Sequence, residues 1–262
     1  MKYVLASFIT ECMKLRRSKI LWLTILFFVF IPLMIGLMFF IQKHPEISAK
    51  LGIIGTKSMM MRFGNADWPA YFGLLTQGMA AIGLIGFGFV TTWVFGREYS
   101  DRTAKDILAL PVKRSILVLS KFIVVVIWSI LLFLVYAASG IVFGQMFGIP
   151  GWSAEMIRQQ AYALFGTSLL IIPLCTPVAF FACYGRGYLL PMSLVILTLL
   201  MANFTGLVGW GPYFPWAIPG LFGVAAGTEG MQLHVASYII LALTSIVGYV
   251  GTVLWWRLAD QK

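Results

Sequence analysis

GREYSDRTAKDILALPVKRSILVLSK, residues 96–121, is a polar island between two apolar runs, and its reading decides the fold. Residues 71–95 before it hold no charge in 25 positions, and residues 122–150 after it hold none in 29. Each run is long enough to cross a bilayer, which takes about 20 apolar residues, so the island lies outside the lipid. It carries nine of the chain's 28 charged residues (19 basic plus 9 acidic). Six are basic, Arg97, Arg102, Lys105, Lys113, Arg114 and Lys121. The positive-inside rule therefore places the island in the cytoplasm.

Local structure is also written into the island. Thr103 can cap a short helix, with Asp106 three residues on as a variant of the capping box. Ala104, Ile107 and Leu108 share one face by i, i+3, i+4 spacing, and Pro111 ends the helix within two turns. Two readings fit this short amphipathic helix: it docks a soluble partner, or it lies on the lipid headgroups.

Working outward, the 262-residue chain is 60% hydrophobic and 11% charged. An ordinary soluble domain is about 25% charged, so that class is excluded. The net charge of +10 sits beside the apolar runs. It reads as topology and contact with anionic membrane lipids, with no nucleic-acid partner. Cys12, Cys175 and Cys183 make no disulfide framework.

The expected fold is all-α and polytopic, one membrane domain over residues 1–262 with six spans at 20–41, 71–95, 116–138, 161–184, 189–207 and 235–256. Both termini fall inside. Residues 1–19 form an amphipathic lead-in on the inner leaflet, with Val4, Leu5, Phe8, Cys12 and Leu15 as its stripe and Lys14 among the basic residues at the headgroups. Residues 42–70 are the longest outer connection, with an amphipathic stretch at 59–63. Trp93 suits an interfacial place, and residues 153–160 are a short outer loop.

Gly83 and Gly86 in the second span, and Gly140, Gly144 and Gly148 after the third, are small-residue seams for helix packing or a dimer contact. Pro173 and Pro177 bend the fourth span. Asn203 is read as an interhelical hydrogen-bonding group. Residues 209–233 hold Pro212, Pro215 and Pro219 with Trp216 among several aromatics, which forbids a straight span. They read as an extracellular re-entrant or interfacial hairpin. The basic census supports this layout, with 14 inside (five, six, one and two along the chain) and five outside.

Much chemistry is missing from the spans. No ionisable residue sits mid-span, where ion-coupled carriers usually need one. His44 and His234 are too far apart in the chain for a metal motif, and no paired acids or reactive cluster suggest an enzyme. There is no GxxxxGK[ST] and no Gly-Lys dipeptide, so the chain cannot be its own P-loop ATPase.

Glu98, Thr103, Ile107-Leu108, Leu110-Pro111-Val112-Lys113-Arg114 and Lys121, set within the lead-in and six-span order, resemble permeases of the ABC-2 (type V) exporters. The stretch YFPWAIPGL at 213–221 resembles the sub-group found with bacitracin- and lantibiotic-resistance ATPases. The resemblance implies that residues 97–111 include a coupling helix seated on a separate ATP-binding cassette ATPase. Ile107 and Leu108 would be its apolar contacts, and Glu98, Asp101, Arg102, Thr103 and Lys105 its polar and capping residues. It implies two such ATPases, a second permease copy or paralogue, and residence in the cell membrane. ATP and Mg would be bound by the partner, with no cofactor in this chain. A peptide antibiotic or a lipid is the expected cargo. The alternatives are a non-transporting scaffold or sensory subunit, or an ion-exporting permease of the same family.

Overall fold

The computed structural model describes residues 2–16, 18–44, 46, 66–103, 112–227 and 233–258. The expected helix at 103–110 falls almost wholly on residues 104–111, outside the described residues, as does the stretch at 59–63. The elements are helical throughout the described residues: α1 (Lys2–Arg16), α2 (Lys19–Lys43), α3 (Trp68–Ser100), α4 (Arg114–Met146), α5 (Ala154–Ile171), α6 (Cys175–Tyr184), α7 (Leu189–Val208), α8 (Ile218–Gly227) and α9 (Val235–Leu258). Short 3₁₀ turns occupy Ile172–Leu174 and Gly211–Tyr213. Counting α5 through α6 as one, six helices are long and apolar enough to cross a membrane. The chain is an all-α polytopic membrane protein.

Several boundaries move from the expected ones. α3 and α4 have 33 residues each, about 50 Å at ~1.5 Å per residue, and so project past a ~30 Å hydrocarbon core. The loop expected at 153–160 is helix instead. Ser153 caps α5 by accepting the Met156 N–H at 3.3 Å, so the fourth span starts a full two turns earlier. Asp67 likewise caps α3 by accepting from Ala70 at 3.0 Å.

α3 is the most enclosed span, packed by α4, α5, α6, α7 and α8, whereas α7 faces outward most. Fully buried Phe28 of α2 lies over Gly86 and stacks on Phe87 at 5.9 Å. Two tyrosines lock α3 to α4: Tyr71 donates to the Gly140 carbonyl and Tyr136 to the Leu75 carbonyl, both at 2.9 Å.

This geometry gives the seam glycines neighbours within the chain. A Cβ on Gly140 would meet Leu75, on Gly144 the Trp68 ring, and on Gly83 Ile171. Gly83, Gly86, Gly140 and Gly144 therefore give close packing within this chain, the first of the two uses expected for them. Gly148 lies beyond the end of α4, in a turn at φ +63°, where its carbonyl accepts from Lys43 at 2.6 Å. Its fourfold spacing from Gly144 is not a helical one. Asn203 is corrected too, since its amide donates to Leu199 one turn back on α7 and its side chain is exposed. Trp93 is buried edge-on against Trp128 at 5.6 Å.

The proline pair does break the fourth span, giving the 3₁₀ turn between α5 and α6. At the break Thr176 donates to the Ser245 carbonyl of α9 at 2.6 Å, and Gly248 abuts the Thr176–Pro177 backbone.

Residues 209–227 fold against the bundle, and 228–232 of the expected hairpin lie outside the described residues. Pro215 and Pro219 are buried, Pro212 and Trp216 partly so. Trp216 shares a void of about 10 Å³ with Leu84, halfway along α3, and with Leu174 and Cys175 at the break. From that depth α8 climbs back out, with Pro219 in its first turn. Thr167 of α5 donates to the Pro219 carbonyl at 3.3 Å, and Gly223 presses on Thr76 and Thr167.

Candidate functional site: a buried ion cluster that roots the polar segment

One end of the bundle gathers the basic residues. The start of α4 touches the end of α9, where Arg114 donates to the Trp256 and Arg257 carbonyls at 3.0 and 3.2 Å. The Gly185–Arg186–Gly187 turn lies beside the end of α3, and a Cβ on Gly96 would come within 2.9 Å of the Gly187 carbonyl oxygen. α1 packs on α4 at the same end. Lys43 and Arg158 alone among the described basic side chains lie at the other end, where Trp68 donates its N–H to Pro150 at 3.0 Å.

At the basic end, four charges from three helices meet inside the protein. Glu98, 2% exposed, sits in the last turn of α3 and Lys121, 1% exposed, in the second turn of α4. Glu98 Oε1 accepts from Lys121 and from Lys14 of α1, both at 2.8 Å. Glu11 of α1 holds Lys14 at 2.9 Å and Lys121 at 3.2 Å. Lys121 also donates to the Val94 carbonyl at 3.1 Å. Its ammonium thus donates two hydrogen bonds, to Glu98 and Val94, and stands in an ion pair with Glu11. Two acids balance two amines, which is why charges this deep are tolerated.

Burial works against the Lys14 ammonium, but Glu11 and Glu98 outweigh it and hold its pKa above the ordinary 10.5. A raised folded pKa means that the stabilisation is complete below 10.5 and lost only as pH rises through the higher folded value. Lys14 therefore stays charged at physiological pH.

The other Glu98 oxygen carries the link to the polar segment. Thr103 donates its hydroxyl to Glu98 Oε2 at 2.7 Å and its N–H to the Glu98 carbonyl at 2.9 Å. Residues 104–111 thus start from a residue tied twice to Glu98. They return to Arg114, which neutralises the C-terminal carbonyls of α9 as a cation at a helix C-terminus does. The segment is bracketed by α1, α3 and α4 at one root and by α9 at the other.

The sequence-derived site divides accordingly. Asp101 and Arg102 are exposed, with Asp101 accepting from Arg97 at 2.9 Å and Arg102 in a left-handed turn at φ 58°. Lys105, Ile107 and Leu108 lie outside the described residues. Glu98 needs correction: it was expected to face a partner, yet its carboxylate is spent inside. Lys14 pairs with Glu11 and Glu98. Phe8, Cys12 and Leu15 pack against the core as the stripe predicts. Glu11 was missed, although it is the one acid in the first 45 residues and lies three positions before Lys14. Among the described residues no His/Cys/Asp/Glu group could hold a metal ion.

The family model described as "ABC-2 family transporter protein" matches residues 7–204, from α1 through the ion cluster to most of α7. The chain is also 26% identical over 181 residues to the bacitracin transport permease protein BCRB of Bacillus licheniformis, covering 68% of this chain and 86% of that protein. Since the family match spans most of the 262 residues, the chain belongs to the ABC-2 family of transporter proteins.

Proposed function

We propose that this chain is the permease subunit of an ATP-binding cassette exporter in the cell membrane, driven by a separate P-loop ATPase that seats on residues 104–111 from the cytoplasm. The observation that carries the reading is the bracket at the basic end. A short polar segment is fastened at both roots by charge, Thr103 to Glu98 and Arg114 to α9. A push on that segment would reach α1, α3, α4 and α9 together, which suits a contact through which ATP binding does work on the spans. ATP and Mg belong to the ATPase in this scheme. The chain itself does no catalysis, and both termini lie in the cytoplasm with the basic end.

Two permeases and two ATPases make the assembly. The outward apolar face of α7, with Leu200, Phe204 and Leu207 exposed, and the 209–217 hairpin are the surfaces offered to the second permease. An amphipathic or apolar cargo can pass along such a seam without a charged site. The relative's own name makes a peptide antibiotic such as bacitracin the first cargo to test.

Affinity-tagged chain purified in mild detergent from its native membranes is expected to bring down an equal amount of a protein carrying GxxxxGK[ST]. ATP-dependent export should be lost when that protein is deleted. Elution of the chain without any ATPase from transport-active membranes would overturn the reading.

A further inference from the structure

Two cavities follow one another along the same helices, one at the basic end and one nearer the middle of the bundle. The outer, about 600 Å³, lies between α1, α3 and the start of α7, and Lys14, Ser18, Arg97, Asp101 and Tyr188 line it. The inner, about 480 Å³, is walled by Leu23, Leu26, Phe27, Ile85, Phe89 and Met192. Both are of the size of small-molecule sites, ~300–1,000 Å³. Their walls follow one another on the same helices. Trp93 of the outer cavity is four residues from Phe89 of the inner on α3, and Tyr188 is four from Met192 at the start of α7. Ser18 caps α2, and Leu23 is just over one turn along it. The inner cavity thus begins about one turn, roughly 6 Å, beyond the outer one toward the middle of the bundle.

The two halves have opposite chemistry. In the outer one Arg97 lies 5.1 Å over the Trp93 ring and uses only Nε on Asp101, which leaves the rest of its fork of N–H groups. Ser18 accepts from the Ile20 N–H at 3.1 Å and keeps its own proton to donate. Exposed Arg16 and Lys19 flank Ser18. Basic groups outnumber the single carboxylate of Asp101. In the inner half the one hydroxyl, Thr24, is already used, donating to Leu21 at 2.9 Å and accepting from Trp128 at 3.3 Å. Trp22, 70% exposed in the first turn of α2, marks the headgroup level as interfacial tryptophans do.

From this we infer that the two cavities together are a resident phospholipid site. It holds an anionic headgroup at Arg97, Ser18 and the Arg16/Lys19 rim, and an acyl chain against Leu26, Phe89 and Met192. The charge of the rim selects the headgroup and the apolar half selects the chain. Basic pockets between spans bind anionic headgroups in this way. Because α1, α2, α3 and α7 all contribute, the lipid bridges the lead-in helix to three spans.

The test uses full-length chain in nanodiscs of equimolar phosphatidylglycerol and phosphatidylcholine. Washing with mild detergent strips loosely held lipid, and native mass spectrometry reads what stays bound. The wild type should keep about one phosphatidylglycerol per chain, preferred over phosphatidylcholine. Arg97→Gln should lower that preference about fivefold, the share of one basic residue near the surface. Met192→Trp, which narrows the inner half, should weaken retention of lipid of either kind. If either variant fails to insert, the headgroup preference of the wild type still decides. Three results would overturn the inference: no retained lipid, retention without preference, or retention unchanged by Met192→Trp. Stoichiometric disulfide linkage of Leu26→Cys between two copies would also overturn it, by placing a second chain in the inner cavity.

Discussion

Glu98→Ala is expected to destabilise the folded protein by about 3–5 kcal/mol, the cost of removing one partner from a buried ion pair. Lys121 would be left 1% exposed with only Glu11 and a backbone carbonyl. Lys14 would keep Glu11, so the loss centres on Lys121. The informative companion is the double variant Glu98→Leu with Lys121→Met. It removes one acid and one amine, leaves the Lys14–Glu11 pair at 2.9 Å intact, and fills the space with apolar groups. Such replacements are often neutral or stabilising, so most of the stability should return. Thr103, however, has no carboxylate to donate to in the double variant. Export per ATP hydrolysed should therefore stay low although the protein folds. Chemical unfolding in micelles reads the first effect, and coupled transport and hydrolysis assays read the second. Full recovery of both by the double variant would make the cluster a packing feature without a transmission role.

Gly248→Ala should cost up to about 3 kcal/mol, at the upper end of overpacking penalties. The reason is what stands in the way. The new methyl would lie 2.6 Å from the Thr176 carbonyl carbon and against the Pro177 nitrogen. These are backbone atoms at the broken turn of the fourth span, and no side-chain rotation relieves them. α9 would have to move away from α6 and stretch the 2.6 Å hydrogen bond from Thr176 to Ser245. Gly73→Ala and Gly206→Ala are the controls, since a Cβ at either position meets nothing within 4 Å. Both should be neutral or slightly stabilising, because alanine favours a helix over glycine. Equal midpoints for all three variants in thermal unfolding would refute the close approach at Gly248.

The spans were legible because hydropathy is a one-dimensional property. Runs such as 122–150 cross a bilayer whatever they pack against. The proline effects were legible for a similar reason: a missing N–H at Pro173 and Pro177 acts locally, and the turn at Ile172–Leu174 is its result. Partner choice is different. Gly140 and Gly144 announce a close approach, but whether Leu75 and Trp68 of the same chain or a second copy fills the groove depends on tertiary placement. Asn203 poses the same problem, as the next turn of its own helix competes with every neighbouring helix.

The site was half visible. Glu98, Thr103 and Lys121 stood out together through the family resemblance. Their contact with Glu11 and Lys14 spans more than 80 residues of sequence, and no local spacing encodes it. A charged residue near a span end reads as solvated unless its partner is known. Glu98 is for that reason read as a contact to a partner, whereas its carboxylate is buried within the protein. The lone acid at position 11 was the available signal, an i, i+3 match for Lys14 on an otherwise basic helix.

The central claim, that residues 104–111 seat a separate ATPase, is tested most directly by comparing Leu108→Asp with Lys105→Ala at equal expression. Burying a Leu contributes about 1.5–3 kcal/mol, whereas an exposed ion pair contributes only about 0–1 kcal/mol. ATPase capture by the purified permease, with export measured in the same membranes, should therefore fall sharply for Leu108→Asp and little for Lys105→Ala. Both proteins should still insert, because residues 105 and 108 lie between α3 and α4. Normal ATPase capture and normal export by Leu108→Asp would contradict the account.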